Sequence, residues 1–227
     1  MPAADPETTL RALNRELAGC TLCPRLVAWR QQVATEKRRA YQGQPYWGAP
    51  VPGFGDPAAR VFIVGLAPGA HGSNRTGRQF TGDASGDFLF PALFRAGFAN
   101  QPNSTHQGDG LLLANAYTAP VCRCAPPQNK PTPQEIRACL PYLQQELRLL
   151  QPRVVVALGR IAFDAVLRLY GHPASAATFA HAAEFNLAPA VTLLASYHPS
   201  QQNTLTGKLT RQMFDAIWQR AAAISTM

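Results

Sequence analysis

A chain of 227 residues carries 21 lysines and arginines against 13 aspartates and glutamates, which gives a net charge of +8. This length is sufficient for one sizeable hydrophobic core, and the charge favours an acidic polymer as a binding partner, so we expect a single domain over residues 1–227. Because no apolar run approaches the roughly 18 residues of a membrane span and the polar N-terminus lacks the pattern of a signal peptide, we expect a cytoplasmic protein.

The first predicted element is an amphipathic helix over residues 7–19, which leads directly to Cys20. Four short apolar runs follow along the chain. They read ARVFIVGLAPG (59–69), DGLLLANAYTAP (109–120), PRVVVALGR (152–160) and PAVTLLASYHPS (189–200). Their apolarity is continuous rather than alternating, which is typical of strands that are buried on both faces of a parallel sheet.

Segments with the apolar spacing of helices separate or follow these runs. They include DFLFPALFRAGF, QEIRACLPYLQQELRLLQ, RIAFDAVLRLY and KLTRQMFDAIWQRAAA. The pattern predicts an α/β protein: a three-layer α/β/α sandwich with a central, mainly parallel four-stranded sheet. In sheets of this kind, ligands bind beyond the carboxyl ends of the strands.

Five cysteines, an odd number, disfavour a disulfide framework in a cytoplasmic protein. Cys20 and Cys23 form a C-x2-C pair, and Cys124 and Cys139 flank a proline-rich loop whose TPQE motif predicts a capped helix carrying Cys139. Four thiolates suit zinc or an iron–sulfur cluster equally, and the spacing does not choose between them. The alternative is that the cysteines are small buried apolar residues. Cys122 is left over as a buried or free thiol.

The ends of the predicted strands carry chemically distinctive residues. Gly65 begins the turn GLAPG, which leads into TGRQFTGDASG with one ring, Phe80, and one carboxylate, Asp83. We place Asn115 at the end of the second strand, and His198 stands in HPS after the fourth. Glycines here allow backbone N–H groups to approach a ligand closely.

GLAPG near one end, HPS near the other and the four cysteines together resemble the uracil-DNA glycosylase superfamily, most closely the iron–sulfur-containing family 5, the b-type enzymes. The resemblance extends from Cys20 to the C-terminal helix. Two departures separate the sequence from other branches. Leu66 stands where family 4 has a glutamate, and Ala67 stands where other members have an aspartate or asparagine. Another residue must therefore supply the polar group.

The resemblance implies a DNA repair enzyme that flips a base out of the duplex and hydrolyses its N-glycosidic bond by direct water attack. It implies uracil as substrate and a [4Fe–4S] cluster held by Cys20, Cys23, Cys124 and Cys139. The uncharged first motif suggests further deaminated bases, hypoxanthine and xanthine. We expect a monomer that associates with the nucleoid of a prokaryotic cell through its DNA substrate.

Within this framework, Asp83 is expected to activate water and to stabilise the cationic sugar, as carboxylates do in glycoside hydrolysis. His198 is expected to donate a hydrogen bond to the leaving base. Phe80 would stack on the base, and Gly65, Asn115 and His71 would line its pocket. The alternatives are a loop anchor for Phe80, a turn residue for Asn115 and a solvent-facing side chain for His71. Asp87 is expected to cap a helix or to lie at the surface.

The segment after HPS is expected to enter the minor groove of DNA, with Leu205 as a wedge that fills the gap left by the flipped nucleotide. The predicted groove and phosphate contacts are Arg75, Arg78, Gln201, Gln202, Asn203, Lys208 and Arg211. Each of them could instead be a solvated surface residue. Two other functions compete: a non-enzymatic metal-cluster-containing protein that binds nucleic acid, and a redox protein.

Overall fold

A computed structural model describes residues 6–226, and at its centre lies a six-stranded sheet with strand order β1-β3-β2-β4-β6-β5. The strands are β1 Phe54–Gly55, β2 Val61–Gly65, β3 Ala116–Pro120, β4 Val154–Leu158, β5 Glu184–Ala188 and β6 Val191–Ser196. The four inner strands β3, β2, β4 and β6 are parallel to one another. All residues of β2, β3 and β4 are buried, which is why their sequences are continuously apolar.

The prediction of a four-stranded sheet is wrong, because one antiparallel strand is added at each edge. The strand β1 pairs with β3, and β5 pairs with β6. Neither edge strand has the apolar signature of the inner ones. The strand β1 is only two residues long and lies in the Pro- and Gly-rich segment 43–57, whereas β5 is largely exposed or half-buried.

Helices cover both faces of the sheet, as the sequence predicts. They are α1 Pro6–Ala18, α2 Pro24–Glu36, α3 Ser73–Thr76, α4 Ala84–Arg95, α5 Pro133–Leu150, α6 Arg160–Leu169, α7 Gln201–Leu205 and α8 Arg211–Thr226, with short 3-10 helices at Arg39–Tyr41, Pro127–Asn129 and Ala174–Ala176. The helix α2 is absent from the sequence-based predictions. Within residues 6–226, no helix combines the length and apolarity needed to cross a membrane.

The core consists of two apolar layers separated by the sheet. Ile63 of β2 belongs to the layer under α4 and α8, which includes Trp218. Its neighbour Phe62 belongs to the opposite layer under α5 and α6, which includes Leu143 and Phe163. Because successive residues of a strand point to opposite faces, each inner strand contributes to both layers. The three-layer α/β/α architecture is therefore confirmed.

The predicted cap of the helix that carries Cys139 is also present. The Thr132 side chain accepts a hydrogen bond from the Glu135 N–H, and the Glu135 carboxylate accepts one from the Thr132 N–H. This reciprocal capping box starts α5 directly after the proline-rich loop. It directs the buried thiol of Cys139 toward the first cysteine pair.

A buried ion pair joins α5 to the loop that carries the second group of cysteines. Arg123 donates hydrogen bonds to both carboxylate oxygens of Glu146, and each side chain is only 1% exposed. The Tyr117 hydroxyl donates a further bond of 3.2 Å to Glu146. Because a charge buried without a partner is costly, Arg123 depends on this carboxylate.

We therefore expect Glu146→Gln to lower the free energy of unfolding by about 3–5 kcal/mol, because it leaves the Arg123 charge buried and uncompensated. Equilibrium unfolding in urea measures this loss. The matched control is Glu184→Gln, since Glu184 pairs with Arg220 at the surface, and there we expect little change. Equal effects of the two substitutions would contradict the role given to the buried pair.

Candidate active site

The chain segments that leave the carboxyl ends of the parallel strands meet at one edge of the sheet. The N–H of Val121 donates to the Gly65 carbonyl and that of Cys122 to the Leu66 carbonyl, each at 2.9 Å. The Gly159 N–H donates to the Ser196 carbonyl at 2.8 Å. These bonds extend the strand pairing past the sheet, so GLAPG lies beside the loop of the second cysteine group.

Asp83 is the N-cap of α4 and lies over the loop that follows GLAPG. Its Oδ1 accepts hydrogen bonds of 3.1 Å from the N–H groups of Ser85 and Gly86. Its Oδ2 lies close against the backbone of Gly72 and Gly69, where an added Cβ would come within 2.1 and 3.4 Å of that oxygen. Burial raises the pKa of Asp83, and the two N–H donors partly oppose this shift. The two N–H bonds to Oδ1 therefore hold the carboxylate in place.

Asp87, one turn further along α4, is exposed. The capping role that its position suggested belongs to Asp83. Asp87 lies in the first helical turn, where a carboxylate interacts favourably with the helix dipole.

Phe80 is held under the turn by a strained backbone and two glycines. Its φ of +54° is uncommon for a residue with a side chain, and its side chain is buried. A Cβ at Gly65 would lie 2.8 Å from Phe80 Cζ, and one at Gly86 would lie 1.8 Å from the Phe80 carbonyl oxygen. The phenyl ring lies 6.1 Å from the imidazole of His198, at an interplanar angle of 42°. The structure therefore brings Phe80 and His198 together.

Gln79 belongs to this site and is missing from the sequence-based predictions. Its Oε1 accepts a hydrogen bond of 2.8 Å from the Thr118 hydroxyl of β3. Its Nε2 points at the turn, since a Cβ at Gly65 would lie 2.4 Å from it. In the sequence, only its position next to Phe80 in a glycine-rich stretch could have indicated Gln79 as a site residue. This indication is weak, because the burial of the Gln79 side chain becomes visible only in the fold.

His198 follows β6 and keeps a neutral imidazole. Burial lowers the pKa of His198 to about 4, because the protonated imidazole would lose its hydration there. Its backbone carbonyl accepts a hydrogen bond of 2.9 Å from Asn203 Nδ2. Asn203 therefore supports the HPS turn, and its contact with a DNA groove stays a prediction.

His71 lies at the far side of the same loop, where its Nδ1 is 3.0 Å from the Tyr46 hydroxyl. Burial lowers the pKa of His71, with the charges of Arg38 and Arg75 adding to the effect. A cleft of about 800 Å³ opens beside this loop, and Tyr46, Trp47 and Gly82 contribute to its walls. His71 therefore lies near the site, but its side chain contacts Tyr46, which belongs to the wall of the cleft.

The placement of Asn115 in the base pocket is wrong. Asn115 precedes β3 and so lies at the amino end of that strand, while the carboxyl end is formed by Pro120. Its Oδ1 accepts from the Arg60 N–H at 2.9 Å, and its Nδ2 lies 3.4 Å from the Ser225 hydroxyl. With φ at +55°, it is the turn residue that was the alternative. The apolar run 109–120 begins before the strand does. Asn115, which lies inside the run, was therefore predicted at the wrong end of the strand.

The prediction of a phosphate contact by Arg78 is also contradicted by its burial and bonding, whereas that for Arg75, which is half-buried at the wall of the cleft, stays a prediction. Arg78 is buried and donates to Asp109, Thr81 and Ser104. This ion pair lowers the pKa of Asp109 well below its usual range. Arg75 donates to the carbonyls of His71 and Gly82 and to Gln44 Oε1, and its guanidinium covers the ring of Tyr41. Both arginines hold the glycine-rich loop together.

The remaining predicted DNA contacts lie on the exposed segment after HPS. Gln201, Gln202 and Leu205 are exposed on α7, and Leu205 is 82% exposed, an unusual environment for a large apolar side chain. Lys208 is exposed, with its Nζ 4.9 Å from the centre of the Tyr197 ring. Arg211 is exposed at the start of α8.

Cys20, Cys23, Cys124 and Cys139 line one small apolar cavity between α1, α2 and α5. Arg30 of α2 donates a hydrogen bond of 2.9 Å to Cys124 Sγ. Within residues 6–226, no group of three or more His, Cys, Asp or Glu side chains is arranged to hold a metal ion. Cys122 is fully buried beside these four cysteines, with its Sγ 3.7 Å from the Cys124 carbonyl oxygen.

Comparison with known proteins agrees with this arrangement. Residues 52–222 match the family model described as the uracil DNA glycosylase superfamily. The chain belongs to this superfamily. It is 55% identical to a type-5 uracil-DNA glycosylase of Thermus thermophilus, over 94% of this chain and 97% of the relative. It is 48% identical to the type-5 enzyme of Pyrobaculum aerophilum, over 93% of this chain and 91% of the relative.

A type-4 uracil-DNA glycosylase of Pyrobaculum aerophilum is 41% identical, but over only 55% of this chain and 56% of the relative. The superfamily and family 5 predicted from GLAPG, HPS and the cysteines are therefore confirmed. The type-5 match covers almost the whole chain, whereas the type-4 match covers about half of it.

We expect Gly65→Ala to destabilise the protein by about 1–3 kcal/mol, because the added methyl group overlaps the Phe80 ring and the Gln79 carboxamide. Urea unfolding measures the loss, and a crystal structure of the variant should show a longer Phe80–His198 distance. Gly19→Ala is the control, since its nearest neighbour, the Glu16 carbonyl oxygen, lies at 3.6 Å. If both variants were as stable as the parent, the packing proposed around Gly65 would be refuted.

Proposed function

We propose that this protein is a DNA repair glycosylase that removes uracil from DNA by hydrolysing the bond between base and deoxyribose. The observation that carries the proposal is the Asp83 carboxylate at the carboxyl edge of the sheet. One of its oxygens is held by N–H groups of α4, and the other lies against the backbone of Gly69 and Gly72 in the glycine-rich loop. The relatives named uracil-DNA glycosylases, matched over almost the whole chain, support the same activity.

In the proposed reaction, Oδ2 of Asp83 accepts a proton from a water molecule whose oxygen forms a bond to C1′ of the flipped nucleotide. The bond between C1′ and the base nitrogen breaks, and its electron pair leaves with the base. The Asp83 carboxylate also stabilises the positive charge that develops on the sugar. The products are the free base and an abasic site, with no Schiff base to a lysine.

His198 is assigned to the leaving base. Because its low pKa keeps the imidazole neutral, one ring nitrogen carries a proton that can be donated as a hydrogen bond to a base oxygen. This bond strengthens as negative charge develops on the base in the transition state. The Phe80 ring, at 6.1 Å from the imidazole, supplies a stacking surface for the base.

Base selection is expected to be broad. The polar positions of the first motif are occupied by Leu66 and Ala67, so no side-chain carboxylate or amide reads the base there. Among the residues around Gly65, Gln79 takes the place that Asn115 was expected to fill, since its Nε2 can donate to a base oxygen. An amide donor and a phenyl ring accept several bases, and we therefore include hypoxanthine and xanthine among the substrates.

Contacts to DNA are assigned to the exposed side chains after HPS, with Leu205 as the wedge in the minor groove. The polar contacts are Gln201, Gln202, Lys208 and Arg211. We further propose that residues 1–227 form one domain that acts as a monomer in the cytoplasm and meets the nucleoid through its substrate.

For the cofactor, we propose a [4Fe–4S] cluster held by Cys20, Cys23, Cys124 and Cys139. Such a cluster would link the α1–α2 junction covalently to α5 and to the loop before it. The apolar cavity and the hydrogen bond from Arg30 to Cys124 Sγ suit an anionic group that is shielded from water. The alternative of a non-enzymatic nucleic-acid-binding protein is not supported by the relatives, which are named as glycosylases.

We expect Asp83→Asn to reduce the rate of uracil release from duplex DNA by roughly 100- to 10,000-fold, because the amide cannot accept the proton of water. Single-turnover release of free uracil measures this rate, and DNA affinity should stay near that of the parent. Asp87→Asn, a change to an exposed carboxylate one turn away, is the control and should retain activity. A fully active Asp83→Asn protein would remove Asp83 from the mechanism.

The rate should fall as the pH drops through the pKa of Asp83, which lies above the ordinary aspartate value. The His198 imidazole stays neutral until about pH 4, so it does not cause this loss. We expect His198→Gln to be slower throughout, yet to keep the same acid limb in single-turnover rates measured from about pH 4 to 8. Loss of the acid limb in this variant would assign the titration to His198 instead.

The protein purified without oxygen should be brown and contain iron and acid-labile sulfide in about equal amounts, as a [4Fe–4S] cluster requires. Elemental analysis and the visible absorbance of the cluster measure this. Cys139→Ala should lose the colour, whereas Cys122→Ala should retain it because Cys122 is not assigned as a ligand. A colourless protein with one zinc ion would identify the site as a zinc site.

A further inference from the structure

Arg30 of α2 is a buried cation without a carboxylate partner. Its side chain is 4% exposed, and none of the ion pairs found within residues 6–226 includes it. Its Nη1 donates to Cys124 Sγ at 2.9 Å, its Nη2 donates to the Cys20 carbonyl at 3.2 Å, and its Nε has no hydrogen-bond partner.

The other buried arginines are bonded differently. Arg78 pairs with Asp109, and Arg123 pairs with Glu146. A guanidinium is always charged, and burying it without an anion is strongly unfavourable. Arg30 therefore requires a negative charge in its surroundings. Its guanidinium contacts Cys124 Sγ and the Cys20 carbonyl oxygen, both at the cysteine site, so the missing charge is assigned to that site.

We propose that Arg30 is the counter-charge of an anionic iron–sulfur cluster, and that it raises the reduction potential of the cluster and slows its loss. The inference rests on the cofactor proposed above. Hydrogen bonds to the sulfurs and the net charge around a cluster both set its potential. Arg30 supplies a hydrogen bond, from its Nη1 to Cys124 Sγ, and it also supplies a positive charge.

The test compares Arg30→Met, Arg30→Gln and Arg30→Lys in the full-length holoprotein. Methionine removes the charge and the donors, glutamine keeps an N–H donor without charge, and lysine keeps the charge without the planar fork. Arg15→Met is the matched control, since Arg15 is exposed on the helix that leads to Cys20. The readouts are the midpoint potential from spectroelectrochemistry and the rate at which the cluster absorbance decays in air.

In Arg30→Met, we expect a more negative midpoint potential, because loss of a positive charge disfavours the added electron. We also expect cluster decay roughly tenfold faster or more, since a hydrogen bond to a charged group is lost. Arg30→Lys should lie closer to the parent than Arg30→Gln, and Arg15→Met should match the parent. An unchanged potential and lifetime in Arg30→Met would overturn the proposal. If that variant does not fold, equal potentials in Arg30→Lys and Arg30→Gln would overturn it.

Uracil release by the parent protein separates this inference from the proposed function. A protein that releases uracil but contains no iron or sulfide would overturn the role of Arg30 and leave the glycosylase standing. A protein whose cluster responds to the Arg30 substitutions as predicted, but which releases no base, would support the role of Arg30 and overturn the glycosylase activity.

Discussion

The backbone pairing of residues 65–66 with residues 121–122 is the constraint on which the rest of the site depends. Two hydrogen bonds of 2.9 Å continue the parallel pairing of β2 and β3 beyond the sheet. They bring the turn after β2 to lie against the loop with Cys122 and Cys124, so that Ala67 packs on the cysteine cluster. The region that would hold the cofactor and the region that would hold the base share one wall.

A second chain of contacts runs from the cysteines to the glycine-rich loop before Asp83 through Arg30. Its side chain bonds Cys124 and Cys20, and its backbone carbonyl accepts a hydrogen bond of 3.2 Å from Asn74 Nδ2. Asn74 is fully buried, and its N–H donates to the Gly69 carbonyl. The loop that passes over Asp83 is thus fastened to the helix that lies on the cysteine site. A cofactor in that site would stabilise the geometry around Asp83 from a distance.

Sequence reasoning selected candidate site residues by their local chemistry. Asp83, Phe80 and His198 are unusual residues in short glycine- or proline-containing turns, and the fold brings these turns together because all of them follow parallel strands. It failed where the partner was remote in sequence. Arg78 is paired with Asp109, 31 positions away, and Asn115 is engaged by Arg60, 55 positions away. The sequence gives no sign of these partners, so it does not show that the Arg78 guanidinium and the Asn115 carboxamide are already hydrogen-bonded within the protein.

The sequence by itself determined the α/β class, the four parallel strands, the family and the four cysteines as a group, because each has a local signature of apolar runs, capping residues or motif spacing. Only the tertiary structure decided that two short edge strands complete the sheet and that Gln79 rather than Asn115 faces Gly65. It also decided that Arg30 is buried and, in the part of the chain from 6 to 226, forms no ion pair with a carboxylate. Burial and long-range pairing arise when distant segments pack against each other, and no short stretch of sequence encodes them.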